Sequence, residues 1–211
     1  MMKPTREDFL LTVRKASFRL PEASPVRVRR EVNGETVWEP HVTADKKVYT
    51  RSADSNLLLT DLSFRDAAGL TETTELTEYR DFPVVTLESR VSNPTDADLA
   101  LSRLISFKHE FCGDFIALRT CGMEVKTLPC YTAGGALTVE FDDHTVFLDS
   151  PGATAAVYPT PLGVEVFFLT ADKSVPAGGE VKTPKVTVMV TEGGKDRSEA
   201  IFTAFSEKHL F

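Results

Sequence analysis

The stretch from Glu78 to Phe107 constrains the fold more than any other, because it alternates with a period of two residues. Within Val84–Ser92, Val85, Leu87 and Val91 fall on one face, and Thr86, Glu88, Arg90 and Ser92 fall on the other. Successive side chains of a strand point to opposite faces, so this pattern predicts a strand with one dry and one wet side. Asn93-Pro94-Thr95-Asp96-Ala97-Asp98 follows with turn chemistry. Proline fixes φ, and Asn and Asp side chains hydrogen-bond the nearby backbone. With Leu99 to Phe107 as the return strand, the stretch predicts one long antiparallel hairpin.

Similar short runs recur on both sides of it, separated by turn signals. Before it come Phe9 to Val13, Ala16 to Leu20, Val26 to Val32, Glu35 to Trp38, Lys47 to Thr50, Leu57 to Phe64 and Leu70 to Leu76. Asn33-Gly34 is the strongest hairpin turn, since both residues tolerate the positive φ of a type I′ turn. After it come Phe115 to Arg119, Glu124 to Leu128, Leu137 to Phe141, Val146 to Leu148, Ala153 to Tyr158, Val164 to Thr170 and Lys185 to Thr191. Strands at this density, with almost no helical periodicity, predict an all-β fold: a large two-sheet antiparallel sandwich over residues 1–194.

The C-terminus departs from that pattern. Asp196-Arg197-Ser198-Glu199 reads as a capping box, and Ile201, Phe202 and Phe205 then recur at helical spacing. A helix from about Asp196 to Lys208 is expected within residues 195–211. It packs on the domain or leads to a partner. Its apolar side runs on to Leu210-Phe211, which points to a homo-oligomer contact, to a catalytic-domain partner, or to a chain that continues beyond it.

A chain of 211 residues with 42% hydrophobic residues and 14 Phe buries a substantial core without disulfide staples. Its net charge of −7 argues against the basic face that nucleic-acid backbones require. The start, Met1-Met2-Lys3-Pro4-Thr5-Arg6-Glu7-Asp8, is too polar for a signal peptide, and no run approaches the roughly 20 apolar residues of a membrane span. Cys112, Cys121 and Cys130 fit no zinc or redox signature, and read as reduced thiols. Together these features favour the cytoplasm and imply no metal and no cofactor.

Two segments carry a family resemblance. The first is Gly69-Leu70, then Tyr79-Arg80-Asp81-Phe82-Pro83-Val84-Val85, Val91-Ser92-Asn93-Pro94-Thr95-Asp96-Ala97-Asp98-Leu99 and Leu104. The second is Pro176-Ala177-Gly178-Gly179-Glu180-Val181-Lys182-Thr183-Pro184-Lys185-Val186, then Glu192-Gly193-Gly194-Lys195-Asp196 and the helix to Phe205. In that order they resemble the N-terminal β-supersandwich of the α-galactosidase and raffinose-synthase-like glycoside hydrolases, whose broad fold is that of galactose mutarotase. The stretch before Lys47 carries no match. In that family the chemistry lies in a following (β/α)₈ barrel, where two aspartates act about 5–5.5 Å apart. The resemblance therefore implies an accessory domain without the barrel, and none of the aspartates here inherits those roles.

Three sets of residues are candidates for function. Sugar-binding sandwiches use an aromatic platform beside carboxylates and amides, which singles out Trp38 with Tyr49, Arg51, Asp54 and Asn56; the plainer reading of Trp38 is a packed or interface aromatic. The mutarotase-like resemblance implies acid–base histidines, and His109 beside Glu110 and His144 beside Asp142 and Asp143 are the local groupings that echo it. The plainer reading is structural histidines and a polar hairpin turn. The helix residues Ile201, Phe202 and Phe205 are the third set, as a partner-facing surface. The sequence thus predicts a non-catalytic, carbohydrate-enzyme-associated module. A lectin-like sandwich and an aldose-epimerase-like enzyme stand as its alternatives.

Overall fold

The computed structural model describes residues 23–32, 35–42, 45–52, 55–65, 71–101, 105–134, 136–170 and 173–210. The strands are β1 (Ala23–Val32), β2 (Glu35–Val42), β3 (Asp45–Ser52), β4 (Leu57–Arg65), β5 (Thr71–Tyr79), β6 (Val84–Ser92), β7 (Leu99–Leu101), β8 (Ile105–Cys112) and β9 (Ala117–Thr120). They continue as β10 (Met123–Glu124), β11 (Cys130–Ala133), β12 (Leu137–Glu140), β13 (His144–Asp149), β14 (Thr154–Thr160), β15 (Gly163–Leu169), β16 (Lys173–Val175), β17 (Glu180–Lys182) and β18 (Val186–Glu192). The helix α1 (Lys195–His209) follows.

Two antiparallel sheets dominate. A ten-stranded sheet runs β10-β9-β12-β13-β18-β6-β5-β4-β3, with β17 also on β6. A four-stranded sheet runs β11-β14-β15-β8, and β1-β2 and β7-β16 form two small ribbons. Alternation fills the space between the two large layers. Leu76, Val85, Leu87, Val146, Leu148, Val186, Val188 and Val190 come from the large sheet; Phe107, Phe111, Val157, Val164, Val166 and Phe168 come from the four-stranded one. The chain is therefore the expected all-β sandwich, with one correction to β6: Thr86, on the side expected to be wet, is buried, as is Val84 on that same side.

Val32 faces Glu35 across β1 and β2, which is a two-residue connection. The Asn33-Gly34 turn itself, the runs at Phe9 to Val13 and Ala16 to Leu20, and the turn at 66–69 lie outside the described residues.

The long hairpin is corrected. Val84–Ser92 pairs on one side with β5, not with Leu99–Phe107, and on the other with β18 and β17 laid end to end. The return stretch divides instead: β7 pairs with β16, and β8 pairs with β15 of the facing sheet. Asn93 explains the difference. Its side chain is buried, and its amide reaches the carbonyls of Ala97 (2.8 Å), Val175 (3.1 Å) and Pro176 (3.2 Å). Its backbone N–H donates to Gly179 O at 2.9 Å, and Ala177 N–H donates to Asp98 Oδ1 at 2.9 Å. The turn chemistry is present, but it stitches a crossover to the 175–179 loop. The hairpin that does form is β5–β6, turning through Arg80-Asp81-Phe82-Pro83.

The second correction concerns the start of α1. Its N-cap is Gly194, with no side-chain cap, so Asp196 and Glu199 form no capping box. The hydroxyl of Ser198 turns inward, where it shares a hydrogen bond with the Thr191 hydroxyl and donates to Gly194 O. The helix begins at Lys195, so Asp196 already lies inside its first turn, and Glu199 pairs instead with Lys195 at 3.2 Å.

Candidate functional site

The sugar-platform residues do not share one sheet. Trp38 stands on β2 opposite Arg29, in the β1–β2 ribbon. Tyr49 and Arg51 stand on β3, the edge of the large sheet, opposite Asp61 and Leu59. Asp54 lies outside the described residues. Asn56 is exposed, and its carbonyl accepts from the Arg80 N–H at 2.9 Å, which ties the segment before β4 to the β5–β6 turn.

That turn holds a contact set that sequence reading did not find. Lys208 Nζ lies 2.6 Å and His209 Nε2 3.2 Å from Asp81 Oδ2. The Lys208 hydrogen bond, aided by His209 and opposed by desolvation, holds the Asp81 carboxyl below the usual carboxylate range. The His209 ring packs 4.7 Å from Tyr79, 5.6 Å from Phe82 and 5.4 Å from Phe205. The end of α1 is thus fastened to the β5–β6 hairpin by one carboxylate and two rings, Tyr79 and Phe82.

The helix's apolar residues divide in the same way. Phe205 is fully buried against Val84, Phe147 and Met189 on the outer face of the large sheet. It meets Tyr79 edge-on at 4.8 Å. Ile201 and Phe202 are half-buried around that cluster, and Phe202 lies 4.4 Å from Phe147. The chain's own sheet takes up Phe205, and Ile201 and Phe202 keep part of their surface open.

The two histidines of the acid–base reading stand on different sheets. His109, on β8, shares the inward face of the core residues Phe107 and Phe111, with ring centroids at 6.3 and 4.6 Å. Burial among them pushes its imidazole down to about 4, against a weaker upward pull from Glu110. His144, on β13, is buried; its Nδ1 lies 2.7 Å from Asp143 Oδ1, and its ring stacks on Phe141 at 4.6 Å. Both are built into the packing of the sandwich. Among the described residues, no group of three or more His, Cys, Asp or Glu could hold a metal ion. The described thiols, Cys121 and Cys130, are free.

A second feature unseen in the sequence lies on the outer face of the four-stranded sheet. Tyr131 is 59% exposed and Tyr158 36%; their rings meet edge to face at 5.9 Å, and their hydroxyls hydrogen-bond each other. Phe167 stands edge-on to Tyr158 at 5.6 Å. The strand register sets Glu165 beside Tyr158 and Glu110 beside Glu165. Tyr131 and Tyr158 are 27 residues apart. The one signal for them in the sequence is that each sits out of phase with apolar neighbours of its strand.

No family model matches this chain, and no curated protein matches it. Its fold matches solved structures over most of its length. The α-galactosidase from Lactobacillus brevis superposes with a TM-score of 0.68 at 12% identity, over 90% of this chain and 31% of that one. The GH36 α-galactosidase AgaA from Geobacillus stearothermophilus gives 0.64 at 15% identity, over 82% of this chain and 30% of that one. The galactosidase domain of the α-galactosidase–sucrose kinase AgaSK gives 0.63 at 10% identity, over 79% and 30%. The chain spans less than a third of the length of each of these proteins. What it shares with them is a fold, the β-sandwich found in GH36 α-galactosidases.

Proposed function

We propose that this chain is a non-catalytic sandwich module that works beside a carbohydrate-active catalytic domain. The observation that carries the reading is the proportion of the match: most of this chain superposes on less than a third of each α-galactosidase. Retaining hydrolysis in such enzymes needs a rigid pair of carboxyls about 5–5.5 Å apart, and fold likeness alone transfers no chemistry. The burial of His109 and His144 supports the same reading. A general acid or base must reach the proton it moves, and these rings are engaged by Phe107, Phe111 and Phe141. In this role α1 holds the docking surface in place, with Asp81 fixing its last turn and Ile201 and Phe202 at its open margin.

The test is direct. The purified chain is expected to hydrolyse no aryl α- or β-galactoside and to leave the mutarotation of galactose and glucose at the buffer rate. Mutarotation that disappears in the paired variant His109→Gln/His144→Gln would replace this reading with that of an epimerase-like enzyme. Glycoside hydrolysis by the chain alone would end it outright.

A further inference from the structure

We propose that the outer face of the four-stranded sheet is a binding platform for neutral saccharides, built on Tyr131 and Tyr158 and edged by Glu165 and Glu110. The inference is independent of whether the chain docks on a catalytic domain, since this face lies opposite the one that α1 covers.

The alternation of three adjacent strands builds the platform. On β15, Val164, Val166 and Phe168 point into the sandwich core, so Glu165 and Phe167 point outward. On β14, Ala155 and Val157 point inward, which turns Ala156 and Tyr158 outward. Tyr131 lies on β11, the end strand of the sheet among the described residues, opposite Ala156. Ala156 is the smallest side chain in the row from Tyr131 to Phe167, and it is fully buried although its face is the outer one. Rings are packed around it, and their upper surfaces remain open.

These rings are fixed. Two edge-to-face contacts and a hydroxyl–hydroxyl bond hold Tyr158 between Tyr131 and Phe167. A tyrosine held in one orientation loses little side-chain entropy when a ligand lands on it. Its exposed ring presents an apolar surface for the C–H face of a pyranose, and its hydroxyl offers a polar handle at the rim. The row Tyr158–Glu165–Glu110 adds carboxylate acceptors for ring hydroxyls one and two strands away, and charged acceptors make the stronger hydrogen bonds. The same carboxylates, on a chain of net charge −7, repel uronates and sulfated sugars. In the neighbouring row the register sets Lys108 opposite Phe167, so the face pairs two carboxylates with one lysine; aromatic surface with this acidic excess favours a neutral glycan over an anionic one.

The experiment titrates the full chain by calorimetry with neutral gluco-, galacto- and manno-oligosaccharides from di- to hexasaccharide, with oligogalacturonate as the charged counter-probe. At least one neutral series is expected to bind and the oligogalacturonate not to bind. Tyr131→Ala should weaken the neutral ligand by about tenfold or more, and Glu165→Gln by a few fold. Tyr131→Phe should stay within about threefold of the parent, because the ring carries the contact. Thermal melts of each variant show that it is folded. Binding to no neutral series overturns the proposal. So does neutral binding that survives both Tyr131→Ala and Glu165→Gln, or a preference for the anionic probe.

Discussion

The two outer faces of this sandwich are made by the same alternation and meet opposite fates. On the large sheet, Val84, Phe147 and Met189 point away from the core, and α1 folds back to cover them with Phe205. On the four-stranded sheet, Tyr131, Tyr158 and Glu165 point away from the core, and Tyr131 keeps 59% of its surface. The covered face is aliphatic and aromatic at its centre; the open one mixes rings with carboxylates. A sheet with two dry faces needs a third layer, whereas a face with polar edges can stay wet. The difference between structural cover and candidate platform is therefore already graded in side-chain chemistry.

Breaking the covered face should give the largest effect. Phe205→Ala opens a cavity between α1 and the sheet, and should lower stability by about 3–5 kcal/mol in urea unfolding. Tyr131→Ala should change it by less than about 1 kcal/mol, as expected for an exposed site. Equal losses would mean that both faces are structural.

The interior between the two faces should respond to acid through His109. Unfolded, its imidazole titrates near the ordinary histidine value of 6.5; folded, burial holds it to about 4. Between these values the unfolded chain binds a proton that the folded chain does not. Stability from this group is thus full above about pH 6.5 and falls as the pH drops towards 4, by about 3 kcal/mol in all. His109→Gln should lack this fall, so the difference between the two proteins' urea midpoints should change steadily across that window. An unchanged pH slope would show that the ring is not shielded by the core.

The stitch between the sheets comes next in size. Asn93→Ala leaves the carbonyls of Ala97, Val175 and Pro176 without their side-chain donor, and should cost about 2 kcal/mol. Hydrogen exchange should quicken in β7 and β16 before it does in β18; uniform quickening would argue that the loop is not a local fastening.

The Asp81 clamp sets the smallest effect. Asp81→Asn removes the charge shared by Lys208 and His209, and should cost below about 1 kcal/mol, less still in high salt. Fraying confined to the last turn of α1, read by exchange at Ser206 to His209, would sharpen the picture of a helix held by Phe205 and trimmed by Asp81. A cost that is large and insensitive to salt would put the clamp among the core contacts.

Much of this fold was legible in the sequence. Alternation placed Val85, Leu87, Val146 and Val164 on core faces, and the two-residue connection at 33–34 joins the strands that its turn chemistry implies. The spacing of Ile201, Phe202 and Phe205 located α1 to within a residue or two. The candidate site was less legible. Trp38 and Tyr49 are near in sequence but stand in different sheets, whereas Tyr131 and Tyr158 are distant and touch. Asn93-Pro94-Thr95-Asp96 has the composition of a hairpin turn, yet its partners are at 175–179, about eighty residues on.

By itself, the sequence determined what each residue's immediate neighbours can express: where most strands lie, which residues of a strand share a face, and where the C-terminal helix replaces the strands. Those follow from backbone geometry with a period of two or 3.6 residues. It did not foresee that Thr86 is buried on the side read as wet, or that the run from Glu124 to Leu128 extends only at Glu124. Only the tertiary structure decided which strands pair, that β6 lies between β5 and β18, and which outer face α1 covers. Pairing is chosen by the total burial and hydrogen bonding of contacts far apart in the chain, and many registers satisfy the same local pattern. Here the interior shared by the two sheets, and Phe205 on the back of one of them, select among those registers.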